Sequence, residues 1–286
     1  MKKLAYAFVA PAVLILTIFF VCPIFYIIYL SFFDWNFVTP DMDFVFLDNF
    51  INLINDANFR QVLVNTSIYT GLTMFFTLSI ALLTALWLGK DGKIYSFAQS
   101  AIFSPHIISL VSISMLWMWI MDADYGLLNV ILKSFGFEPL GWLTDSSLAL
   151  YSLVIVSVWK SIGYYTLIFI AGLRSIPKDL YEAAELDNSS GFRTFSKITL
   201  PMLSPTIFFV VITSFISCFK VFETIAIMTN GGPANSTNTI VYYIYEYGFR
   251  FFKIGYASAA GVILLLIISI CTLLYFKFMS KRVYYR

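Results

Sequence analysis

The sequence predicts an all-α polytopic membrane protein with six transmembrane helices. Three observations lead to this fold class. The 286-residue chain is 60% hydrophobic and 12% charged, whereas an ordinary soluble domain contains about 25% charged residues. Uncharged runs long enough to cross a bilayer recur along the chain, and basic residues concentrate in alternate connections between them. A soluble fold could not bury so much apolar surface, so soluble enzymes, disordered proteins and disulfide-stapled secreted domains fit the composition poorly.

The predicted spans follow from the lengths of the uncharged runs, because a membrane-crossing helix needs about 20 mainly apolar residues. Their approximate limits are 6–33, 62–88, 95–121, 147–173, 203–228 and 254–278. Lys160 interrupts the fourth run, and Lys220 and Glu223 interrupt the fifth. The predicted outer loops are short and there is no soluble domain, so we expect a single transmembrane domain over residues 1–286.

Basic residues indicate the orientation, because cytoplasmic loops carry an excess of lysine and arginine. With the N-terminus inside, twelve basic residues fall on the inner side and four on the outer side. The inner ones are Lys2, Lys3, Lys90, Lys93, Arg174, Lys178, Arg193, Lys197, Lys277, Lys281, Arg282 and Arg286. The outer ones are Arg60, Lys133, Arg250 and Lys253. We therefore expect both termini to be cytoplasmic.

The composition also argues against several kinds of site. The net charge of +2 gives no basic patch large enough for nucleic acid. His106 is the only histidine, so a metal site built on several histidines is impossible, and we expect no metal. Cys22, Cys218 and Cys271 lie far apart in apolar segments and are typical of packing residues. The chain has no phosphate-binding GxxxxGK[ST] loop, so ATP would bind to another chain.

The connection at 174–201 is unusual for a membrane protein loop. Pro177 suits the first turn of a helix, and Asn188–Gly191 contains residues that end one. Leu180, Ala183 and Ala184 share one face of that helix. Small residues on this face would let another surface approach closely. From periodicity alone, an amphipathic connector lying on the membrane surface remains an alternative.

The residues of this connection resemble the EAA loop of ABC importer permeases. The matching residues are Glu182, Ala183, Ala184, Asp187, Gly191, Ile198, Leu200 and Pro201. In that family the loop docks on the ATPase subunit, which implies a coupling role for Tyr181, Glu182, Ala183, Ala184, Asp187, Asn188 and Gly191. The family usually has glycine where this chain has Asn188, and asparagine tolerates the left-handed backbone conformation better than most residues.

The resemblance extends over nearly the whole chain and becomes specific to sugar permeases of the maltose and oligosaccharide type. It rests on the segments 47–50, 125–129, 159–160, 171–173, 176–177, 228–233 and 255–259. It implies a bacterial inner-membrane subunit that pairs with a second homologous permease, two ATPase subunits and an extracytoplasmic solute-binding protein, within membrane lipid. The resemblance implies no cofactor in this chain, with ATP and magnesium on the ATPase subunits, and no catalytic residues.

The resemblance also implies a sugar pocket inside the membrane. The matching positions are His106, Leu110, Ser157, Lys160, Ser161, Ser214, Ser217, Cys218 and Val221. Helical spacing supports a common face, since 157, 160 and 161 repeat at i, i+3 and i+4, as do 214, 217 and 218. Charges inside spans are costly and suggest function. The structural alternatives are an ion pair between Lys220 and Glu223, a packing role for His106, and carbonyl or carboxylate partners for Lys160.

Two hypotheses about the solute and its driving force follow. Lys160 and His106 facing a pocket would suit an acidic sugar, such as a uronate oligosaccharide. The alternative mechanism is an ion-coupled secondary transporter with Lys160, Lys220, Glu223 and His106 as a proton relay. Against this alternative stand the EAA loop and the lack of a visible inverted repeat.

Overall fold

The computed structural model describes the backbone of residues 2–279 and the side chains of residues 8–279. Lys281, Arg282 and Arg286, which contribute to the predicted orientation, lie outside this part of the chain. The described residues divide into two compact units, one formed by those up to Gln61 with Ile240–Ile267 and the other by Val62–Thr239 with those from Ile268 onward. The candidate sites described below lie in the second unit.

Helices dominate the described residues. In chain order they are α1 (Lys2–Leu16), α2 (Cys22–Leu30), α3 (Asp48–Asn55), α4 (Ala57–Leu88), α5 (Lys93–Ile107), α6 (Leu110–Ile120), α7 (Leu127–Ser134), α8 (Ala149–Arg174), α9 (Lys178–Leu186), α10 (Gly191–Thr194), α11 (Leu200–Met202), α12 (Ser204–Phe219), α13 (Glu223–Met228), α14 (Ile240–Tyr245) and α15 (Ile254–Met279). Wider π-helical turns cover Thr17–Val21, Phe195–Thr199 and Glu246–Arg250. Two short antiparallel strands, β1 (Phe33–Asp34) and β2 (Asp43–Phe44), form a hairpin.

Five helical segments of the described chain are long and apolar enough to cross a membrane. They are Phe8–Leu30, Ala57–Leu88, Ala149–Arg174, Ser204–Met228 and Ile254–Met279. The pair α5 and α6 counts as a sixth if it forms one broken span. The mostly helical architecture agrees with the predicted fold class.

The prediction of one continuous helix over 95–121 is wrong, because α5 and α6 meet at an angle of 96°. Ile108 and Ser109 both have extended backbone angles between the two helices. Pro105, three residues earlier, has no N–H to donate to the preceding turn and weakens the end of α5. Two extended residues then redirect the chain into α6.

The fifth predicted span, 203–228, is also interrupted. Helix α12 ends at Phe219 and α13 begins at Glu223. Phe222 has non-helical angles of φ −140° and ψ −60°, so the regular hydrogen-bond ladder stops there. Both interruptions lie in the second unit.

Helix α8 is central to this unit and packs against α5, α12 and α13. Half of the residues in the most apolar stretch of this helix are buried. A cluster of buried side chains joins it to α4 and α12, formed by Ala81, Ala85, Leu88, Tyr165, Phe169, Ile170, Leu203 and Val210. Small residues such as Ala81 and Ala85 permit close helix packing in membranes.

Gly163 sets the closest approach between α8 and α5. A Cβ atom at this position would collide with the backbone of Ile102 and Phe103. Only glycine allows the two helices to pack so closely here, and this contact fixes the end of α5 beside the middle of α8.

In the first unit, the segments 47–50 and 255–259 meet at the same stretch of backbone. Asn49 donates from Nδ2 to the carbonyls of Ser31 and Phe33 at 3.0 and 2.9 Å. Gly255 lies against the Phe33 carbonyl, where a Cβ atom would collide with it. Asn49 and Gly255 therefore hold the end of the first span beside the start of the last one.

Candidate functional site

A cavity of about 170 Å³ opens among α4, α8 and the two interrupted helices of the second unit. We call it the central cavity. Its lining residues are Tyr69, Thr73, His106, Leu110, Ser157, Lys160, Ser161, Ser217, Cys218, Lys220, Val221, Glu223 and Thr224. Most of these side chains are polar, although each comes from a predominantly apolar segment.

Hydroxyl groups form one wall of the central cavity. Tyr69 on α4 and Ser157 on α8 are hydrogen-bonded through their hydroxyl oxygens at 2.6 Å. Tyr69 is almost completely buried, whereas Ser157 is half-buried. This pair joins α4 to α8 and leaves further hydroxyls, such as those of Ser161 and Ser217, beside the open space.

The Lys160 side chain is hydrogen-bonded to the backbone of the first interrupted helix. Its Nζ donates to the carbonyls of Pro105, His106 and Ile108 at 3.1, 3.3 and 2.7 Å. The last carbonyls of a helix have no partner within the helix, and a cation at this end also interacts favourably with the helix dipole. Lys160 therefore caps α5, which agrees with the carbonyl alternative considered from the sequence. An ammonium group has three hydrogens to donate, and these contacts account for all of them.

His106 contributes its ring to an aromatic stack. The imidazole lies 4.5 Å from the Tyr164 ring centroid at an interplanar angle of 13°, and 5.6 Å from that of Phe103. The residue is exposed rather than enclosed. His106 thus packs through its faces while it lines the central cavity.

The second interruption places two opposite charges at the central cavity. Lys220 directly follows α12 and Glu223 begins α13, and both are exposed. The sequence alternative of an ion pair between them is wrong, because no contact within 4 Å joins their charged atoms in the described structure. Both groups are therefore available to a ligand.

The structure brings together seven of the eight predicted pocket residues, as well as Leu110. The seven are His106, Ser157, Lys160, Ser161, Ser217, Cys218 and Val221. The placement of Ser214 in the pocket has to be corrected, because this residue is 1% exposed and does not line the central cavity. Its hydroxyl lies 4.0 Å from the Cys218 sulfur, inside the packing of α12.

Sequence reasoning did not include five lining residues in the sugar pocket, although it considered Lys220 and Glu223 as an ion pair or as part of a proton relay. Tyr69 and Thr73 come from α4, and Lys220, Glu223 and Thr224 come from the second interruption. Tyr69, Thr73 and Thr77 recur at helical spacing within a predominantly apolar run, and this polar stripe could have identified α4 as part of the site. The charges of Lys220 and Glu223 could have been assigned to the site directly.

The arrangement has a physical consequence for a chain that spans a membrane. Backbone that is not helical is tolerated at membrane depth where it is buried in protein or lines a water-filled space. Here two interruptions border one cavity rich in hydroxyls and charges. The central cavity therefore offers a ligand polar groups together with apolar surface.

The coupling-loop residues form a second site in the same unit. Helix α9 ends in a Schellman motif, in which the N–H of Asn188 donates to the Glu185 carbonyl and that of Ser189 to the Ala184 carbonyl. Asn188 has a φ of 51°, so this residue adopts the left-handed conformation at the position where the family usually has glycine. Ser190 then begins α10 by accepting a hydrogen bond from the Arg193 N–H.

An open cavity of about 550 Å³ lies between α9 and the segment that follows it. We call it the loop cavity. It is lined by Leu180, Ala183, Ala184, Asp187, Ser189, Arg193, Lys197 and Ile198, which includes the small-residue face predicted from periodicity. Tyr181 lies within hydrogen-bond distance of the Thr199 hydroxyl, at 3.2 Å, and Glu182 and Gly191 are exposed.

Comparison with known families identifies the class of this protein. The family described as "Binding-protein-dependent transport system inner membrane component" matches residues 81–285, which include the coupling loop and every lining residue of the central cavity except Tyr69 and Thr73. The chain belongs to this family, as the resemblance of its EAA loop predicted. It is a membrane permease component of a binding-protein-dependent transport system.

Individual relatives match over almost the whole chain. The sn-glycerol-3-phosphate transport system permease protein UgpA of Agrobacterium fabrum (strain C58 / ATCC 33970) is 34% identical, covering 99% of this chain and 97% of that protein. The arabinooligosaccharides transport system permease protein AraP of Bacillus subtilis (strain 168) is 33% identical, covering 96% and 88%. A crystal structure of a bacterial ABC transporter involved in the import of the acidic polysaccharide alginate contains a chain with a TM-score of 0.84 at 24% identity, covering 98% of this chain and 96% of that one. This likeness confirms the predicted fold class of an ABC type I importer permease.

Proposed function

We propose that this chain is one of two permease subunits of an ATP-driven importer for a sugar or oligosaccharide, and that the central cavity is its part of the translocation pathway. The observation that carries the proposal is the meeting of two interrupted helices at one cavity whose lining includes hydroxyl and charged side chains. At about 170 Å³, this cavity is smaller than the 300–1,000 Å³ typical of small-molecule sites. A second, homologous permease subunit would supply the remaining wall.

The lining supports a hydroxyl-rich solute. Ser161 and Ser217 carry hydroxyls that both donate and accept hydrogen bonds, and the His106 ring, which stacks on Tyr164, lines the same cavity. A sugar offers matching hydroxyls together with apolar ring faces. Named relatives point in the same direction, since UgpA and AraP are named for sn-glycerol-3-phosphate and arabinooligosaccharides.

An acidic sugar remains part of the proposal, but the cation that would bind it changes. The Lys160 protons are used by the carbonyls at the end of α5. Lys220 is exposed at the same cavity, so its ammonium group is the one that would contact a carboxylate of the solute. Glu223, three residues on, would repel the same group and limit the affinity.

The coupling loop would transmit ATP-driven motion. We place the loop and both termini on the cytoplasmic side, where the excess of basic residues would favour them. Two ATPase subunits, which would hold ATP and magnesium, would dock against α9 through Tyr181, Glu182, Ala183, Ala184, Asp187, Asn188 and Gly191. Their closure would push α9 and open the central cavity toward an extracytoplasmic solute-binding protein, and hydrolysis would reset it.

The proposal is tested by purifying the tagged chain in mild detergent and identifying the proteins that accompany it by mass spectrometry. We expect an ATPase with a phosphate-binding loop and a second permease with an EAA loop, and uptake of a sugar into proteoliposomes that requires ATP. A chain that purifies alone and transports without ATP would contradict the proposal and favour the ion-coupled alternative.

A variant in the loop cavity sharpens this test. Ala183→Trp would fill the space beside α9, and we expect it to abolish recovery of the ATPase while the second permease still co-purifies. Leu186→Trp is the matched control, since Leu186 is 85% exposed on the same helix and does not line the loop cavity. Equal recovery of the ATPase with both variants would exclude α9 as the docking element.

A further inference from the structure

A third cavity of the second unit has a different chemistry from the two sites above. It has a volume of about 330 Å³ and lies where the end of α4, the turn after it, the start of α5 and the end of α8 meet. We call it the basic cavity. Its charged and polar side chains are those of Lys90, Asp91, Lys93, Ser96, Gln99 and Arg174.

The charge of the basic cavity is predominantly positive. Three cations face one carboxylate, and Arg174 Nη2 donates to Asp91 Oδ1 at 3.0 Å. Both side chains of this pair are largely exposed, so it is a weak interaction. Lys90 and Lys93 have no ion pair or hydrogen bond from their side chains to any described residue. Two uncompensated ammonium groups therefore face the same open space.

The backbone adds to the positive potential. Helix α5 begins at Lys93 after Gly92, and no side chain caps it. The first amides of an uncapped helix point outward without partners and favour an anion. In the basic cavity these amides lie next to Lys93 and Ser96, so an anionic group would meet both fixed charges and hydrogen-bond donors.

The surroundings of the basic cavity are strongly apolar. Trp87, three residues before Lys90, is 68% exposed, while Ile94 and Phe97 on the first turn and a half of α5 are 82% and 77% exposed. Ile94 and Phe97 are three residues apart and share one face of α5. Large apolar side chains as exposed as these are costly in water, whereas a membrane interface accommodates them.

We propose that the basic cavity binds the phosphate headgroup of an anionic phospholipid, whose acyl chains run along Trp87, Ile94 and Phe97. A free phosphate would use only the cationic part of this surface, whereas a phospholipid uses both parts. Basic pockets between membrane helices are suited to anionic headgroups. The choice of leaflet rests on the cytoplasmic placement of the coupling loop proposed above.

The site has a consequence for coupling. Arg174 is the last residue of α8, and α9 begins four residues later at Lys178. A headgroup held by Lys90 and Lys93 would also contact Arg174 and compete with Asp91 for it. The bound lipid would thus fix the end of α8 immediately before the coupling loop.

The test measures lipid retention by the purified complex in nanodiscs of phosphatidylcholine that contain a small fraction of labelled phosphatidylglycerol. The variant Lys90→Gln with Lys93→Gln removes both free cations. Lys133→Gln with Lys253→Gln is the control, because it removes the same charge from exposed lysines outside the basic cavity. Each lysine near a membrane surface contributes about a fivefold gain in binding, so we expect about thirtyfold weaker retention with the first pair and no change with the control.

Three results would overturn the assignment. The first is equal retention of phosphatidylglycerol by the two double variants. The second is displacement of the labelled lipid by soluble glycerol phosphate at equal concentration, which would assign the cavity to a free phosphate ester. The third is loss of the ATPase from the Lys90 and Lys93 variant with lipid retention intact, which would assign these lysines to a protein contact. The readout needs neither ATP nor sugar, so it remains informative if the proposed transport function fails.

Discussion

The two helix interruptions at the central cavity use their lysines in opposite ways. At the break between α5 and α6, Lys160 donates to three backbone carbonyls. At the break between α12 and α13, Lys220 is exposed and makes no ion pair with Glu223. The first lysine therefore stabilises the shape of the site, while the second is free to contact what enters it.

The difference follows from the geometry of the two breaks. The chain turns by 96° after α5, which leaves the last carbonyls of that helix without a continuing ladder. The segment Ser204–Met228 still forms a single apolar span despite its interruption. At this break the N–H of Val221 donates to the Cys218 carbonyl. The sharp turn relies on one distant ammonium group for three carbonyls, whereas the smaller break keeps a backbone hydrogen bond and receives one from the Thr239 hydroxyl, which donates to the Val221 carbonyl at 3.4 Å.

The largest effect is expected from Gly163→Ala, which disturbs the break between α5 and α6 without changing a charged residue. The added methyl group would collide with the backbone of Ile102 and Phe103 and push α5 away from Lys160. We expect a loss of more than about 3 kcal/mol in stability and no uptake of any solute, measured by thermal unfolding in detergent and by transport. Gly71→Ala is the control, because a Cβ atom there meets nothing within 4 Å. Equal behaviour of the two variants would refute the close approach.

Lys160→Met separates the capping role from substrate binding. The methionine retains most of the side-chain length but leaves three carbonyls without a donor, and hydrogen bonds from charged groups are worth about 1.5–3 kcal/mol. We expect a clear fall in melting temperature and loss of uptake for neutral and acidic sugars alike. A variant of normal stability that fails only with acidic sugars would show instead that Lys160 binds the solute.

Lys220→Gln should give the complementary result. The side chain is exposed, so stability should be unchanged, while the cavity loses the cation that is free to meet a carboxylate. We expect uptake of an acidic oligosaccharide to fall about tenfold, in line with a charge-assisted hydrogen bond of about 1.5 kcal/mol, with a neutral one unaffected. Parallel uptake assays with the acidic and the neutral sugar measure this difference. An equal fall in the uptake of both would show that Lys220 does not select for acidic sugars.

Ser214→Ala should have the smallest effect. Ser214 shares the helical spacing of Ser217 and Cys218 but is 1% exposed and lies outside the central cavity. We expect uptake to change by less than about twofold, in contrast to Ser217→Ala, which removes a hydroxyl that lines the cavity. A larger loss in Ser214→Ala would return this residue to the site.

Sequence reasoning located the helices of the fold but not their interruptions. The length of uncharged runs detects apolar stretches. It cannot distinguish one straight helix from the pair α5 and α6, because a single uncharged run covers both. Pro105 marked the weakened end of α5, but the turn itself depends on Ile108, Ser109 and the donor supplied by Lys160. That donor is 52 residues from Ile108 in the sequence, so no local pattern contains it.

The candidate sites show the same limit. Helical spacing placed Ser157, Lys160 and Ser161 on one face, and the structure places all three at the central cavity. The same spacing included Ser214, because periodicity defines a face without saying which part of it a neighbouring helix covers. The end of α9 was accessible to local reasoning, since the left-handed conformation of Asn188 depends on that residue and its immediate neighbours.

The most direct test of the account is the water accessibility of the second break. Ser217→Cys in a Cys218→Ala background places a single thiol in the central cavity, while Cys22 and Cys271, which are exposed on apolar spans outside that cavity, serve as internal controls. A charged, membrane-impermeant thiol reagent should modify the cysteine at position 217, more slowly in the presence of the transported sugar, and should leave Cys22 and Cys271 unmodified. A cysteine at 217 that resists the reagent in every nucleotide state, or reacts no faster than Cys22 and Cys271, would contradict a water-filled pathway at the interrupted helices.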